Sequence, residues 1–268
     1  MNNQLYKLLF LLPLLALAGC ATSTKNFEPG VIPEYAVVSE EKLSENDSNL
    51  TAIMDQNDLE LKQNGPAYRV VKRVMDRLVK AANIQQELAV YTVDAGDQVN
   101  AFALGGNTVV VYEALVNRLP DEKELAVVLA HETAHILGQH NADRTVQKRA
   151  AGVGVASAIL GTVVGVATGS SGLGTLASDT SSAVGSGIVL SYGRAMEHEA
   201  DHIGMLLMAK AGYNPAIALD VWGKADEVLG AGGGPSFFSS HPSHGNRLER
   251  LRQDYPYALP YYEQSGGS

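Results

Sequence analysis

The sequence predicts an α+β protein that is mainly helical and carries a small β-sheet. Several long segments have the apolar spacing of helices, and two short apolar segments flank a glycine turn, which is typical of a β-hairpin. Of the 268 residues, 46% are hydrophobic and 18% are charged, so the chain is long and apolar enough to bury a core. The net charge of −9 argues against nucleic acid as a general partner.

The N-terminus predicts export followed by lipid attachment. Lys7 precedes an apolar run at 8–18, which is too short for an ordinary transmembrane helix and typical of a signal peptide over residues 1–19. The run ends in "LAGC", which resembles the lipobox of bacterial lipoproteins and predicts a lipid on Cys20. An ordinary secreted protein is the alternative, although Cys20 is the only cysteine of the chain. Because Ala21 follows, the resemblance implies an outer-membrane lipoprotein on the periplasmic side rather than an inner-membrane anchor.

Composition predicts the division of the remaining chain. Residues 20–50 are polar and acidic, with Pro29 and Pro33, and they predict a flexible tether. We expect the folded domain at 51–258 and a short tail at 259–268.

Periodicity predicts the elements of the domain. Residues 66–83 have helical apolar spacing, and the basic side of this helix faces either solvent or anionic lipid. Residues 87–94 alternate as a strand, and 100–112 form a hairpin around "GGN". Further helices are predicted after a capping Asp121, at 193–212, at 214–230 and at 247–255.

The segment 150–178 has no charged residue and is rich in Gly, Ala, Ser and Thr. Its length would allow a membrane span, but it lacks aromatic residues at its ends and strongly apolar content. We favour a small-residue helix and loop near the functional site. A hairpin that dips into a membrane is the alternative.

The stretch "LAHETAHILGQH" contains the pattern H-E-x-x-H, formed by His131, Glu132 and His135. Positions i and i+4 share one face of a helix, so both imidazoles can point at one metal ion. Glu132 lies one step around the helix and can take a proton from a water that zinc activates. A chance match on a buried helix is the alternative, and a third ligand decides between the two.

A third ligand is not found directly after the pattern. An extended pattern would require histidine at Asn141, and His140 comes one residue too early. A later helix offers Glu197 and Asp201, which are four residues apart and share a face. One of these carboxylates can bind the metal while the other receives the N–H of a ligating histidine. Glu199 is expected to point elsewhere.

Four elements in this order resemble one family. H-E-x-x-H followed by E-x-x-A-D at 197–201 is similar to the HtpX and CAAX-prenyl-protease-type zinc metallopeptidases. The strand segment 99–112 and "HPSHGNRL" at 241–248 extend the likeness over about residues 65–255. The nearest likeness is to the periplasmic lipoprotein branch, of the LoiP and BepA type. The sequence has no internal repeat, so a tetratricopeptide domain is not expected.

This resemblance implies a gluzincin metallopeptidase domain with one Zn²⁺ ion per chain and an edge strand beside the active-site helix. The implied zinc ligands are His131, His135 and Glu197. Glu132 is the implied general base and later proton donor, and Asp201 is the implied partner of a ligating histidine.

The resemblance also implies roles outside the ligand set. His241 either stabilises the oxyanion or occupies the open position on the zinc, and both remain open. Asn100, Ala101 and Phe102 belong to the strand expected to pair with an extended substrate backbone. Structural roles are expected for the other histidines, namely His140, His198, His202 and His244. The alternative for His244 is an exchange of roles with His241.

The main functional hypothesis is a lipid-anchored, periplasm-facing zinc endopeptidase that acts on misfolded envelope proteins. A second hypothesis is a chaperone-like assembly factor whose zinc is structural or is blocked by His241. A third is an intramembrane-associated protease that uses 150–178 as a hairpin.

Overall fold

A computed structural model describes residues 28–140, 192–230, 237–242 and 245–267. The predicted signal peptide at 1–19, Cys20, the segment 150–178 and His244 lie outside these ranges. Within them, the chain is mostly helical with a small three-stranded sheet, and the predicted α+β class is confirmed.

The elements follow the predicted order. The helices are α1 Glu40–Gln56, α2 Gly65–Ala81, α3 Glu113–Arg118, α4 Glu122–Leu137, α5 Arg194–Lys210, α6 Ala216–Gly223, α7 Ala225–Val228, α8 Phe237–Ser240 and α9 Arg247–Gln264. The strands are β1 Ala89–Val93, β2 Ala101–Leu104 and β3 Thr108–Tyr112.

The sheet has the order β1-β3-β2, with β3 in the centre. β2 and β3 are antiparallel and form the predicted hairpin, whereas β1 is parallel to β3. The turn needs Gly105 and Gly106, which have φ of 63° and 90°, in the region that favours glycine. β3 is buried along its whole length, as expected for a strand rich in valine with core on both faces.

The first helix begins before the predicted domain boundary at residue 50. Asn46 of α1 is buried, and its side-chain amide donates to the carbonyl oxygen of Gly105 and to the side chain of Asn107. A Cβ on Gly105 would lie 2.0 Å from Asn46, so the hairpin turn and α1 fit closely. Residues 40–50 are therefore part of the packed structure and not of a flexible tether, because these two hydrogen bonds and the buried Leu50 fix them to the sheet.

The C-terminal helices also differ from the sequence pattern. The predicted helix at 214–230 is divided into α6 and α7 at Lys224, directly after Gly223, a residue that weakens helix interiors. α9 continues to Gln264 instead of ending near 255. It passes through Pro256 and Pro260, whose rings lie on the exposed side of the helix.

The core is centred on the antiparallel contact between α4 and α5. α4 begins at Asp121, whose side chain accepts the Lys123 N–H, and its later turns are buried on all sides. Gly204 of α5 allows the close approach, because a Cβ there would lie 3.1 Å from the backbone nitrogen of His131. β2 packs against α4 and α9 packs against α5, so both helices are enclosed. In the described part of the chain, no helix has the length and apolar content needed to cross a membrane.

Candidate metal centre

Four buried side chains converge at the centre of the fold. α4 supplies His131 and His135, α5 supplies Glu197, and His241 follows directly after α8. Each offers one ligand atom, and these atoms all lie within 4.8 Å of one another. The structure therefore brings together the three predicted ligands and also places His241 beside them.

The spacing of these atoms fits a small metal ion. Nε2 of His131 lies 3.1 Å from Nε2 of His135 and 3.3 Å from Oε2 of Glu197. Oε1 of Glu197 lies 3.5 Å from Nε2 of His135 and 3.2 Å from Nδ1 of His241. Zinc bonds of about 2.0–2.2 Å in a tetrahedron require ligands about 3.3–3.6 Å apart. The observed separations are close to those edges, and the donor set of imidazoles and a carboxylate is one that zinc prefers.

The charges of the cluster are also those of a cation site. Burial opposes ionisation of Glu197, but His241, His131 and His135 outweigh it and hold the pKa of the carboxyl well below its usual range. Burial lowers the pKa of His135, whose ring is therefore neutral. For His131 burial acts in the same direction, but the contacts to Asp201 and Glu197 raise its pKa to about 9. A metal ion would displace the proton of His131, whereas His135 and Glu197 already have the charge states that metal binding requires.

Glu132 is fully buried beside the ligand set, and its carboxylate contacts His241 of the cluster. Its Oε1 lies 3.2 Å from Nε2 of His241. Burial raises the pKa of the Glu132 carboxyl, and the neighbouring His241 and His131 only partly offset this effect. A carboxylate with a raised pKa is better suited to accept and return a proton than an ordinary surface carboxylate.

The ring of His131 is held by a carboxylate, at the position predicted for Asp201. Nδ1 of His131 lies 3.0 Å from Oδ1 of Asp201. The same oxygen accepts a hydrogen bond from Nη2 of Arg247 at 2.5 Å, and the guanidinium lies 3.4 Å from the centre of the Trp222 ring. Arg247 is part of the quoted "HPSHGNRL" segment, but no pattern in the sequence assigned it this contact. Trp222 has no pattern around it that would have indicated the site.

The ring of His135 has different neighbours. Tyr192 stacks on it with ring centres 3.7 Å apart. His135 Nδ1 lies 2.7 Å from Nδ1 of His140, whose Nε2 lies 3.4 Å from Oε2 of Glu199. As expected, Glu199 lies outside the ligand set, and it is buried against His140.

The predicted substrate strand lies beside α4 as expected. β2 contains Ala101 and Phe102, and Asn100 precedes it. The side chain of Asn100 has internal partners, because its Oδ1 accepts from the Ala101 N–H and from the Ser240 hydroxyl. Tyr192 covers part of the strand, since its hydroxyl donates to the carbonyl oxygen of Ala103. Sequence patterns gave no indication of Tyr192.

His202 and His198 are remote from the metal cluster. His202 is buried, accepts the Gly30 N–H on Nε2 and lies 2.9 Å from Asp254 through Nδ1. His198 is partly exposed and also lies on the side of Asp254.

This fold and this buried ligand set define a zinc metallopeptidase domain. The chain belongs to Peptidase family M48, which it matches over residues 67–254. Members of that family use zinc, and the predicted zinc cofactor and metallopeptidase class are therefore confirmed.

Similar proteins come from two settings. The chain is 30% identical over 226 residues to the mitochondrial metalloendopeptidase OMA1 of Schizosaccharomyces pombe, covering 84% of this chain and 64% of the relative. It is 33% identical over 184 residues to the beta-barrel assembly-enhancing protease of Yersinia pestis, covering 66% of this chain and 36% of the relative. The protein of the latter name from Escherichia coli is 28% identical over 191 residues, or 70% and 39% of the two chains. The chain thus spans less than two thirds of the length of these relatives.

The predicted location is wrong. The lipobox-like "LAGC", the following Ala21 and the likeness to one branch of the family predict an outer-membrane lipoprotein on the periplasmic side. The relatives at comparable identity include mitochondrial enzymes of Schizosaccharomyces pombe, Saccharomyces cerevisiae and Bos taurus. Membership of the family therefore does not establish an outer-membrane location. The comparisons show the family but not its lipoprotein branch.

Proposed function

We propose that this protein is a zinc-dependent endopeptidase in which His131, His135 and Glu197 hold the metal. The observation that carries the proposal is the convergence of these three side chains, whose nitrogens and carboxylate oxygens lie 3.1, 3.3 and 3.5 Å apart in pairs, in a fully buried site next to Glu132.

The chain's own residues account for substrate binding and proton transfer. Zinc in this site would polarise the scissile carbonyl and lower the pKa of a water to about 7. Glu132 accepts the proton of the attacking water on a carboxylate oxygen and later donates it to the leaving amine. Asp201 keeps the ring of His131 oriented. An extended substrate would lie along β2, beside Ala101 and Phe102.

The replacement Glu132→Gln tests this mechanism. It should leave zinc content unchanged and reduce casein cleavage by about a hundredfold or more, because the amide cannot take the proton. Glu124→Gln is the matched control, since it makes the same chemical change on the same helix, away from the metal cluster. Cleavage that persists in metal-loaded Glu132→Gln would contradict the proposed role of Glu132.

We further propose misfolded or misassembled envelope proteins as substrates. The support is the likeness to proteases that are named for enhancing beta-barrel assembly. To identify them, the levels of envelope proteins would be compared between a strain that produces the wild type and a strain that produces Glu132→Gln. Substrates should accumulate in the second strain. Unchanged protein levels in both strains would contradict a role in quality control.

We propose attachment to a membrane through a lipid on Cys20. The support is the sequence alone, in which an apolar N-terminal run leads directly to the only cysteine. Cys20→Ser should move the protein to the soluble fraction, whereas Ala21→Ser should not. Cys20→Ser protein that stays with the membrane would instead support the hairpin alternative for 150–178.

A second candidate function, an assembly factor with a blocked metal site, is favoured by the position of His241. Its Nδ1 lies 3.3 Å from Nε2 of His131 and its Nε2 lies 3.2 Å from Glu132, so the ring stands between the metal ligands and the base. Phe237 stacks on this ring, with centres 4.2 Å apart and planes inclined by 12°. The Tyr192 N–H donates to the Ser240 oxygen next to it.

His241→Ala separates the two candidates. Cleavage of casein that appears only in this variant supports the second candidate, whose metal site His241 blocks, and equal cleavage by wild type supports the first. If both proteins bind zinc and neither cleaves, the zinc of the second candidate is structural. Phe238→Ala is the control, because it shortens another side chain of α8 and keeps the imidazole.

A further inference from the structure

The two metal-facing histidines of α4 each have a second ring nitrogen that must be satisfied. For His131 that nitrogen faces Asp201, a carboxylate. For His135 it faces another imidazole, since the two Nδ1 atoms of His135 and His140 are 2.7 Å apart. A contact this short between ring nitrogens requires one to donate and the other to accept.

The metal site decides the direction of this hydrogen bond. Nε2 of His135 faces the ligand cluster and needs a free lone pair to bind a metal. A neutral imidazole then carries its proton on Nδ1, so His135 donates and His140 accepts. A His140 ring that accepts a hydrogen bond on Nδ1 carries its proton on Nε2, and that atom lies 3.4 Å from Oε2 of Glu199. The protons therefore all point from the metal site towards a buried carboxylate.

The end of α4 is shaped to place the ring of His140. Gly138 caps the helix, and a Cβ at that position would lie 2.4 Å from Nε2 and 2.8 Å from Cε1 of His140. Gln139 then adopts φ of 56°, a left-handed conformation that is uncommon for residues other than glycine. These two features turn the chain back, so that a residue just past the helix packs against one inside it. Because His140 is only 2% exposed, its ring has little room to move aside.

We propose that His140 is a positioning residue of the metal site, which accepts the Nδ1–H of His135, fixes Nε2 of His135 towards the metal and has its own Nε2 directed at Glu199, 3.4 Å away. This inference rests on the zinc site of the proposed function. It assigns His140 no contact with the metal and no contact with substrate. It also gives Gly138 a role, because only a residue without a Cβ leaves space for the ring.

The test measures zinc affinity by competition with a chelator, on purified and folded protein. His140→Ala should weaken zinc binding by about 10- to 100-fold, the usual effect of losing the partner of a ligating histidine. His140→Gln should recover most of this loss, because its amide can accept from His135 and donate towards Glu199. With cobalt in place of zinc, the visible spectrum of His140→Ala should also shift, since the ring of His135 is no longer fixed.

Gly138→Ala is a second way to remove the contact between His135 and His140. It keeps His140 but takes the space of its ring, so it should weaken zinc binding and shift the cobalt spectrum in the same direction. Because both replacements break one contact, the double variant should lose no more affinity than His140→Ala alone.

His202→Ala is the matched control, since it removes another buried histidine with an acidic neighbour, away from the metal. It should lower the melting temperature and leave zinc affinity unchanged. Folded His140→Ala with the zinc affinity and cobalt spectrum of the wild type would overturn the inference, and the proposed function would stand. A wild-type protein that binds no zinc would overturn both.

Discussion

The two histidines that α4 directs at the metal are held in different ways. His131 is held from a distance, by Asp201 of α5, which in turn binds Arg247 of α9. His135 is held locally, by His140, five residues further along the same segment. One support therefore depends on three helices being assembled, and the other depends mainly on how a single helix ends.

Because of this difference, the two supports should contribute unequally to the stability of the fold and to the affinity for zinc. The support of His131 contains a buried ion pair, and removal of one partner leaves an uncompensated charge in the core. The support of His135 is a contact between two imidazole rings at a helix end, with Glu199 beyond them and no buried ion pair to an arginine, so its loss should affect the metal more than the fold. We therefore expect replacements around His131 to weaken both the fold and zinc binding. Replacements around His135 should weaken zinc binding with a smaller loss of stability.

The largest effect is expected for Asp201→Ala. It leaves the guanidinium of Arg247 buried without its carboxylate, which typically costs about 3–5 kcal/mol. It should also weaken zinc binding by about 10- to 100-fold, because the ring of His131 loses its partner. Urea unfolding of the metal-free protein and chelator competition measure the two effects separately.

Asp254→Ala is the control for that experiment. Asp254 is also a buried acid with a histidine neighbour, His202, but it is remote from the cluster. It should lower stability without changing zinc affinity. If Asp201→Ala unfolds as easily as Asp254→Ala but binds zinc normally, Asp201 is only structural and the contrast between the two histidines is lost.

An intermediate effect is expected for Gly204→Ala, which acts where α5 approaches α4. The new methyl group would lie 3.1 Å from the His131 nitrogen and 3.2 Å from its Cα, and backbone atoms cannot move aside easily. Such overpacking costs about 1–3 kcal/mol in the free energy of unfolding.

Gly223→Ala provides the matched comparison for Gly204→Ala. A Cβ at Gly223 would meet only a side chain at 3.9 Å, and alanine is favoured over glycine in a helix. The two replacements should therefore change the free energy of unfolding in opposite directions. A loss of the same size at both positions would show that the short distance between α4 and α5 is not the reason that position 204 requires glycine.

The main elements of the fold follow from local patterns in the sequence. The helical spacing of 66–83 predicts α2, "GGN" predicts the hairpin turn, and Asp121 predicts the start of α4. Helix ends that depend on packing could not be predicted in this way. α9 continues beyond Pro256, a residue that usually interrupts a helix, and buries Ala258 on its far side; this packing cannot be predicted from the local sequence.

Convergence of the metal site was predictable only in part. His131 and His135 follow from the helix period, but periodicity alone left Glu197 and Asp201 equivalent, and the resemblance to a family separated them. The structure places Glu197 in the cluster and Asp201 behind His131. Arg247 could not have been assigned from spacing, because its contact depends on how α9 packs across α5.

The smallest effect is expected for Arg247→Lys, which tests the outermost part of the support of His131. Lysine keeps the positive charge near Asp201 but loses the flat guanidinium that lies on Trp222. A stacked cation of this kind contributes about 0.5–2 kcal/mol. We expect a loss of that size in urea unfolding, with zinc affinity falling less than in Asp201→Ala.

Arg73→Lys is the control, because Arg73 forms an exposed ion pair with Glu122 on the surface. Exposed pairs contribute about 0–1 kcal/mol, so this replacement should be nearly silent. If Arg247→Lys weakens zinc binding as much as Asp201→Ala, then Asp201 holds His131 only while Arg247 holds Asp201. The support of His131 would then act as a single unit across α5 and α9, and the contrast with the local support of His135 would be sharper.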